Sequence, residues 1–259
     1  MESRSKSFRN LLQLGNDNTI SGAGKDYWQQ AGVDTPKTLF KTPARVEEIT
    51  KLEDRLGIAL PEDYKEFLSI SNGFGAGNGS EDDFYMGSDG IYNGYFPDPE
   101  LFSTDKVNWN SEPYFQLPVE LLQLPYEIIN LARCTTKKNS DGSLDFDTPL
   151  PLFDRVLEIG FRDIDNLWLV PPELVKQART AYLEMYEKAD DQQKKIIEEA
   201  IEKFAGSKET FEKLEWCCVK WAAGGSATMD GYAGFGRYIE DLVYGGIEAN
   251  LCEGIEAKL

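Results

Sequence analysis

The sequence VEEITKLEDRLGIALPEDYKEFLSISNGF occupies residues 46–74 and predicts two amphipathic helices separated by a short break. Apolar residues recur at helical spacing in its first half, and Gly57 follows them as a helix end. Pro61 can open the second helix, because its missing N–H would have no partner in a first turn. Asn72-Gly73 predicts a left-handed stop after that helix. The second helix presents one apolar face, made of Tyr64, Phe67 and Leu68.

This helix–break–helix pattern resembles the opening of the SMI1/KNR4 family, also called the SUKH superfamily. Residues 159–173 are similar to the family's strand pair and the turn after it, and Trp216, Trp221 and a helix over residues 235–242 are similar to its C-terminal end. The residues that carry the opening motif are Ile49, Leu52, Glu53, Leu56, Gly57, Leu60, Pro61, Tyr64, Phe67, Leu68, Asn72 and Gly73.

The resemblance implies the fold and the domain limits. It implies an α+β fold in which helices pack on a small, twisted, mostly antiparallel sheet, with a helical stretch near residues 176–206 that looks like an insertion. The similar region runs from about residue 42 to residue 244, so we assign residues 42–246 to one SUKH-like domain. Residues 1–41 are polar and predict an N-terminal extension that is ordered only in part, and residues 247–259 predict an acidic tail.

Periodicity predicts further elements between these limits. Residues 127–135 are interpreted as a buried strand, and residues 152–159 and 167–170 as two more strands. From residue 173 onward the apolar period becomes helical. It predicts four helices. The second begins near Asp190-Asp191 and stops at Gly206, and the third is defined by Phe211, Leu214, Cys218 and Trp221.

The composition excludes several kinds of function. The net charge is −18, and such a surface repels phosphate backbones and anionic lipids, so we expect neither nucleic-acid binding nor membrane binding. The chain contains no histidine, which excludes Ser–His and Cys–His nucleophile pairs and histidine-ligated metals. A strongly acidic chain of this kind is instead suited to binding a basic partner protein.

The four cysteines predict buried, reduced thiols rather than a metal site. Cys217 and Cys218 are neighbours, Cys134 and Cys252 are isolated, and no CxxC motif occurs. We therefore expect no metal and no cofactor. The N-terminal sequence has no sustained apolar segment of the signal-peptide kind, which predicts a cytoplasmic protein.

One stretch, residues 80–115, combines eight acidic residues with nine aromatic residues and a single lysine, Lys106. In one interpretation the aromatic side chains fill the core and the acids are solvated. In the other, tyrosine, tryptophan and acids form a face for a basic partner, because interface hot spots favour Trp and Tyr and opposite charge accelerates encounter. The candidate contact residues are Glu81, Asp82, Asp83, Tyr85, Asp89, Tyr92, Tyr95 and Trp109.

The family resemblance implies a binding role without catalysis. Many bacterial members look like immunity proteins, which neutralise a toxin by binding it, and others resemble eukaryotic regulatory or scaffold proteins, including a fungal regulator of cell-wall synthesis. The first role predicts a basic, nuclease-like toxin as the partner, since nucleases are basic where they hold phosphate. An acid/base hydrolase is a distant third alternative, and it would require a carboxyl group that is desolvated in a cleft.

Overall fold

The computed structural model describes residues 2–21, 34–75, 100–111, 117–129, 131, 137–138, 144–145, 150–162, 165–222 and 228–244. The helices are α1 (Glu2–Ile20), α2 (Val46–Leu56), α3 (Glu62–Ile70), α4 (Tyr126–Ile129), α5 (Pro172–Lys188), α6 (Asp191–Ala205), α7 (Lys208–Glu212) and α8 (235–244). The strands are β1 (Glu100–Leu101), β2 (Asn108–Asn110), β3 (Lys137–Lys138), β4 (Leu144–Asp145), β5 (Val156–Arg162), β6 (Asp165–Val170), β7 (Cys217–Ala222) and β8 (Thr228–Tyr232).

Six of the strands form one open antiparallel sheet. Its order is β1-β5-β6-β7-β8, and β2 also pairs with β5. Strands β3 and β4 pair separately as a short ribbon. The sheet is consistent with the expected α+β, SUKH-like fold.

Both faces of the sheet are covered by helices. Successive side chains of a strand point to opposite faces, and those of the central strands are apolar on both faces. On β6, Leu167 and Leu169 belong to a core cluster that includes residues of α2 and α3, whereas Trp168 and Val170 belong to a second cluster with α5 and α6. The architecture in the described residues is therefore a sheet between two helical layers.

The two neighbouring cysteines of β7 point to opposite faces of this sheet. Cys218 belongs to the first cluster and Cys217 to the second. Both thiols are buried and free, which confirms the prediction for this pair, whereas Cys134 and Cys252 lie outside the described residues. Burial raises the pKa of both thiols, so neither ionises near neutrality.

Helix α1 belongs to the segment interpreted as an N-terminal extension. Phe8 and Leu12 are buried in the first cluster, and the Asn16 side-chain oxygen accepts hydrogen bonds from the backbone N–H of Leu39 and the hydroxyl of Thr38, at 2.8 and 3.2 Å. Part of the extension is thus attached to the domain core. The acidic tail, residues 247–259, lies outside the described residues.

Two predicted elements are wrong. Residues 127–129 belong to the helical turn α4 rather than to a strand, because Pro125 precedes them and its carbonyl accepts the first helical hydrogen bonds. Residues 217–222 form strand β7 rather than part of a third helix. The apolar residues Leu214, Cys218 and Trp221 have helical spacing, which suggested a helix. The same stretch also fits a strand, in which every second side chain lies on one face, and the structure places Cys217 and Val219 on the same face.

A capping box explains where α6 begins. Asp190 accepts a hydrogen bond from the backbone N–H of Gln193 at 2.9 Å, and the Gln193 side chain returns one from the backbone N–H of Asp190 at 3.0 Å. At the other end Gly206 has φ +78°, the left-handed conformation that glycine favours. The predicted stop at Gly206 is confirmed.

Replacing Asp190 by alanine is expected to lower the free energy of unfolding by about 1 kcal/mol, because an N3 amide loses its acceptor. Asp191→Ala removes the same charge one residue later, inside the helix, and serves as the matched control. Urea unfolding followed by circular dichroism measures both variants. Equal losses in the two variants would contradict the capping role.

None of the described helices is both long enough and apolar enough to cross a membrane.

Candidate functional site: an acidic groove beside the Pro61 turn

Seven of the eight residues expected to contact a partner lie in the segment 76–99, outside the described residues. The eighth, Trp109, lies on β2. Its indole N–H donates to the Leu56 carbonyl at 2.9 Å, and the Arg155 guanidinium lies 4.3 Å from the centre of its ring. The hydrogen bond joins Trp109 to α2, and the role of Trp109 as a partner contact stays a prediction. The seven are Glu81, Asp82, Asp83, Tyr85, Asp89, Tyr92 and Tyr95.

The family motif residues build the first helical layer. Leu60, Tyr64, Phe67 and Leu68 are buried. Pro61 has extended φ and ψ of −64° and 144° and directly precedes the first turn of α3. The rings of Tyr64 and Phe67 both pack on Phe235 of α8, with centroids 5.0 and 5.1 Å away. The motif therefore fixes the position of α8 relative to α3.

Asn72 and Gly73 were predicted to end helix α3 with a left-handed residue, but the structure gives them a different role. Helix α3 ends at Ile70, and its C-cap residue Ser71 is extended, with φ −152°, whereas Gly73 has φ +94° two residues later. The Asn72 side-chain oxygen accepts a hydrogen bond from the backbone N–H of Thr104 at 2.7 Å. The left-handed residue therefore lets the chain pass close to the segment around Leu101 instead of ending the helix.

The start of α3 forms one wall of a groove of about 570 Å³ that is open to solvent. We call it the acidic groove, because its lining carries four carboxylates and one ammonium group. Three separate segments line it, namely Pro61, Glu62 and Asp63; Glu209, Thr210, Lys213, Leu214, Glu215 and Trp216; and Ala233 and Gly234.

Asp63 is the structural carboxylate of the acidic groove. Its side-chain oxygens accept hydrogen bonds from the backbone N–H groups of Gly236 and Tyr64, each at 2.9 Å. Gly236 lies in the first turn of α8, where amides have no partner within the helix and a negative charge is favourable. Asp63 thus joins the beginnings of α3 and α8.

The other charges of the acidic groove are exposed and exchangeable. Lys213 pairs with Glu209, and Glu62 pairs with Lys65 outside the groove, each at 2.6 Å. Exposed pairs of this kind contribute only about 0–1 kcal/mol, so an incoming cation can replace them. Glu215 is exposed and has no hydrogen bond or ion pair with any described residue.

Trp216 is the residue of the acidic groove that is buried most. Only 8% of its surface is exposed, and within the described part of the chain no acceptor binds its indole N–H. Among the described residues, this N–H is not one of the solvent-shielded polar atoms that lack a hydrogen-bond partner, so part of it remains accessible to solvent. Trp216 therefore lines the groove with an indole whose N–H has no acceptor in the described part of the chain, beside an excess of carboxylates.

Burial is the main cause of the shifted pKa values near the acidic groove. Burial raises the pKa of the Tyr64 hydroxyl, and burial, followed by the charge of Asp63, raises the pKa of the Cys218 thiol. Glu158 on β5 also has a raised pKa because it is half-buried, but it does not line the groove. In the described part of the chain, no three His, Cys, Asp or Glu side chains are placed to hold a metal.

Sequence reasoning missed the acidic groove. The groove forms only when residues near position 62 meet two segments about 150 and 170 positions later in the chain. No local spacing connects these segments, so only the fold reveals the site.

Comparison with known proteins identifies one family. The SMI1/KNR4 family (SUKH-1) matches residues 43–199, which is more than half of the chain. The match includes the opening motif, α5 and part of α6, and it ends before β7, so the proposed likeness of the C-terminal end stays a prediction.

A second comparison finds a short similarity to the uncharacterized protein YnaB of Bacillus subtilis (strain 168). The two are 48% identical over 42 residues, which are 16% of this chain and 29% of YnaB. The matched segment thus spans less than a third of that relative. No solved structure matches the chain.

Proposed function

Because the chain belongs to the SMI1/KNR4 family, we propose that it is an immunity-type protein that binds a basic toxin and neutralises it without catalysis. The observation that carries this proposal is the net charge of −18 on a histidine-free member of that family. A basic, nuclease-like toxin has the complementary charge, because it must hold phosphate. Its cytoplasmic location stays a prediction.

Electrostatic attraction would act mainly on the rate of encounter. Opposite charges on two proteins steer them together and raise the association rate constant by about 10-fold to 1,000-fold. Dissolved salt screens this attraction. At an ionic strength of 0.1 M, charges that are separated by more than a Debye length of roughly 10 Å interact only weakly. The described acids are mostly exposed, as this mechanism requires.

The test uses the protein encoded by the neighbouring gene, purified and immobilised on a biosensor. We expect binding whose association rate constant falls about tenfold or more between 50 and 500 mM NaCl, while the dissociation rate constant changes little. Binding that ignores salt, or a neutral partner, would contradict the electrostatic part. Binding to a non-toxin partner would instead support the regulatory or scaffold role.

The acid–aromatic stretch supplies the first set of variants for this partner. The triple variant Glu81→Gln, Asp82→Asn, Asp83→Asn is expected to lower the association rate constant by about threefold or more, because acidic side chains attract a basic partner and raise the rate of encounter. The triple variant Glu173→Gln, Glu184→Gln, Glu187→Gln removes three exposed charges of α5 and is the charge-matched control. An equal decrease in both variants would show that only total charge matters.

A further inference from the structure

We propose that the acidic groove receives an arginine or lysine side chain, together with its own stretch of backbone, from the basic partner protein. This proposal rests on the proposed function and deepens it by naming the contact. Two separate observations carry it, namely the excess of carboxylates in a groove of about 570 Å³ and the unused indole donor of Trp216.

The charge of the acidic groove fits a cation. Four carboxylates face one ammonium group, and that ammonium, Lys213, is already paired with Glu209. Glu215 and the largely exposed Glu62 remain as acceptors that an incoming group can reach. A guanidinium group offers several donors in a planar fork that matches carboxylates, which favours arginine over lysine.

The remaining lining fits the rest of the entering residue. Pro61, Leu214 and Ala233 provide apolar surface for the methylene stem of arginine or lysine. Trp216 can donate its indole N–H to a backbone carbonyl beside that side chain, because an indole nitrogen is a donor only. A free metal ion would use the carboxylates but not this donor, so a peptide segment is the better match.

The first experiment titrates the isotope-labelled full chain with a small probe, acetyl-Gly-Arg-Gly-amide. We expect the indole N–H signal of Trp216 to shift along a saturating curve in two-dimensional NMR spectra, with smaller shifts for the other tryptophans. The peptide acetyl-Gly-citrulline-Gly-amide has the same shape without the charge and is expected to cause little shift. An unmoved Trp216 signal, or equal shifts with both peptides, would overturn the proposal.

Matched variants assign the effect to the groove. The double variant Glu62→Gln, Glu215→Gln is expected to weaken binding of the arginine peptide about fivefold, as the loss of two exposed charge contacts implies. Glu184→Gln, Glu187→Gln changes the net charge equally outside the groove and is expected to bind as the wild type does. Equal weakening in both variants would overturn the proposal.

The same two variants distinguish failure of the groove from failure of the proposed function. If the neighbouring protein binds the wild type and the Glu62→Gln, Glu215→Gln variant with equal affinity, the groove proposal is wrong and the binding function stands. If the peptide results support the groove but the neighbouring protein does not bind, the proposed function fails and the groove stands as a site for another basic partner.

Discussion

Replacing Phe67 by alanine is expected to lower the free energy of unfolding by about 4 kcal/mol. Phe67 has no exposed surface, and its ring lies 5.8 Å from that of Tyr64 and 5.1 Å from that of Phe235. Removing the ring loses the free energy gained when the ring leaves water on folding. It also leaves a cavity between α3 and α8, which the surrounding helices can fill only in part.

Urea unfolding measures this loss, with the slope of the transition as a check that the denatured state is unchanged. A loss of about 4 kcal/mol is a large fraction of the 5–15 kcal/mol that stabilises a typical domain. A loss below about 1.5 kcal/mol would mean that the Phe67 site collapses without a cavity, and that the motif does not hold the two helices together.

Tyr64→Phe is the matched control for Phe67→Ala, because it keeps the ring and removes only a hydroxyl. That hydroxyl is buried and has no hydrogen-bond partner in the described part of the chain. A buried polar group without a partner costs about 1–3 kcal/mol, so the variant is expected to be as stable as the wild type or more stable by about 1 kcal/mol. A clear loss of stability would reveal a partner for this hydroxyl.

The elements that sequence predicted correctly are those whose signals are local. The apolar spacing and Gly57 predicted α2, and Gly57 has the left-handed φ of +68° that a helix end requires. Asp190 and Gly206 similarly marked both ends of α6. Such signals depend on backbone conformation within a few residues, so tertiary structure does not change them.

The features that sequence missed depend on contacts between distant segments. Strand β7 is a strand because β6 and β8 pair with it on both sides, and this pairing overrides a helical spacing. The acidic groove likewise depends on contacts between distant segments, among them the hydrogen bond from the Gly236 N–H to Asp63, which lies close to Gly234. Of the predicted partner contacts, only Trp109 lies in the described residues, so sequence and structure identify two different candidate surfaces.

Replacing Gly73 by alanine is the second change with a large expected effect, a loss of about 3 kcal/mol in the free energy of unfolding. One part is conformational, because φ +94° is strained for a residue with a Cβ atom and costs roughly 1–2 kcal/mol. The other part is steric. The new Cβ would lie 3.0 Å from the Leu101 carbonyl oxygen and 3.1 Å from the Ser103 nitrogen, and crowding of this kind costs about 1–3 kcal/mol.

Gly57→Ala separates these two costs within the same motif. Gly57 also has a positive φ, +68°, but an added Cβ there would meet no atom within 4 Å, so we expect a loss of only about 1 kcal/mol by the same urea measurement. The three atoms nearest to the new Cβ at Gly73, which include the Phe102 carbonyl carbon at 3.3 Å, all belong to backbone and cannot rotate away as a side chain could. The bridge between Phe74 and Leu101, with hydrogen bonds of 3.0 and 3.1 Å, would have to open instead. Equal losses of unfolding free energy at the two glycines would mean that residues 101–103 move away from the new Cβ at no cost. The close approach would then not explain why the motif has a glycine at position 73.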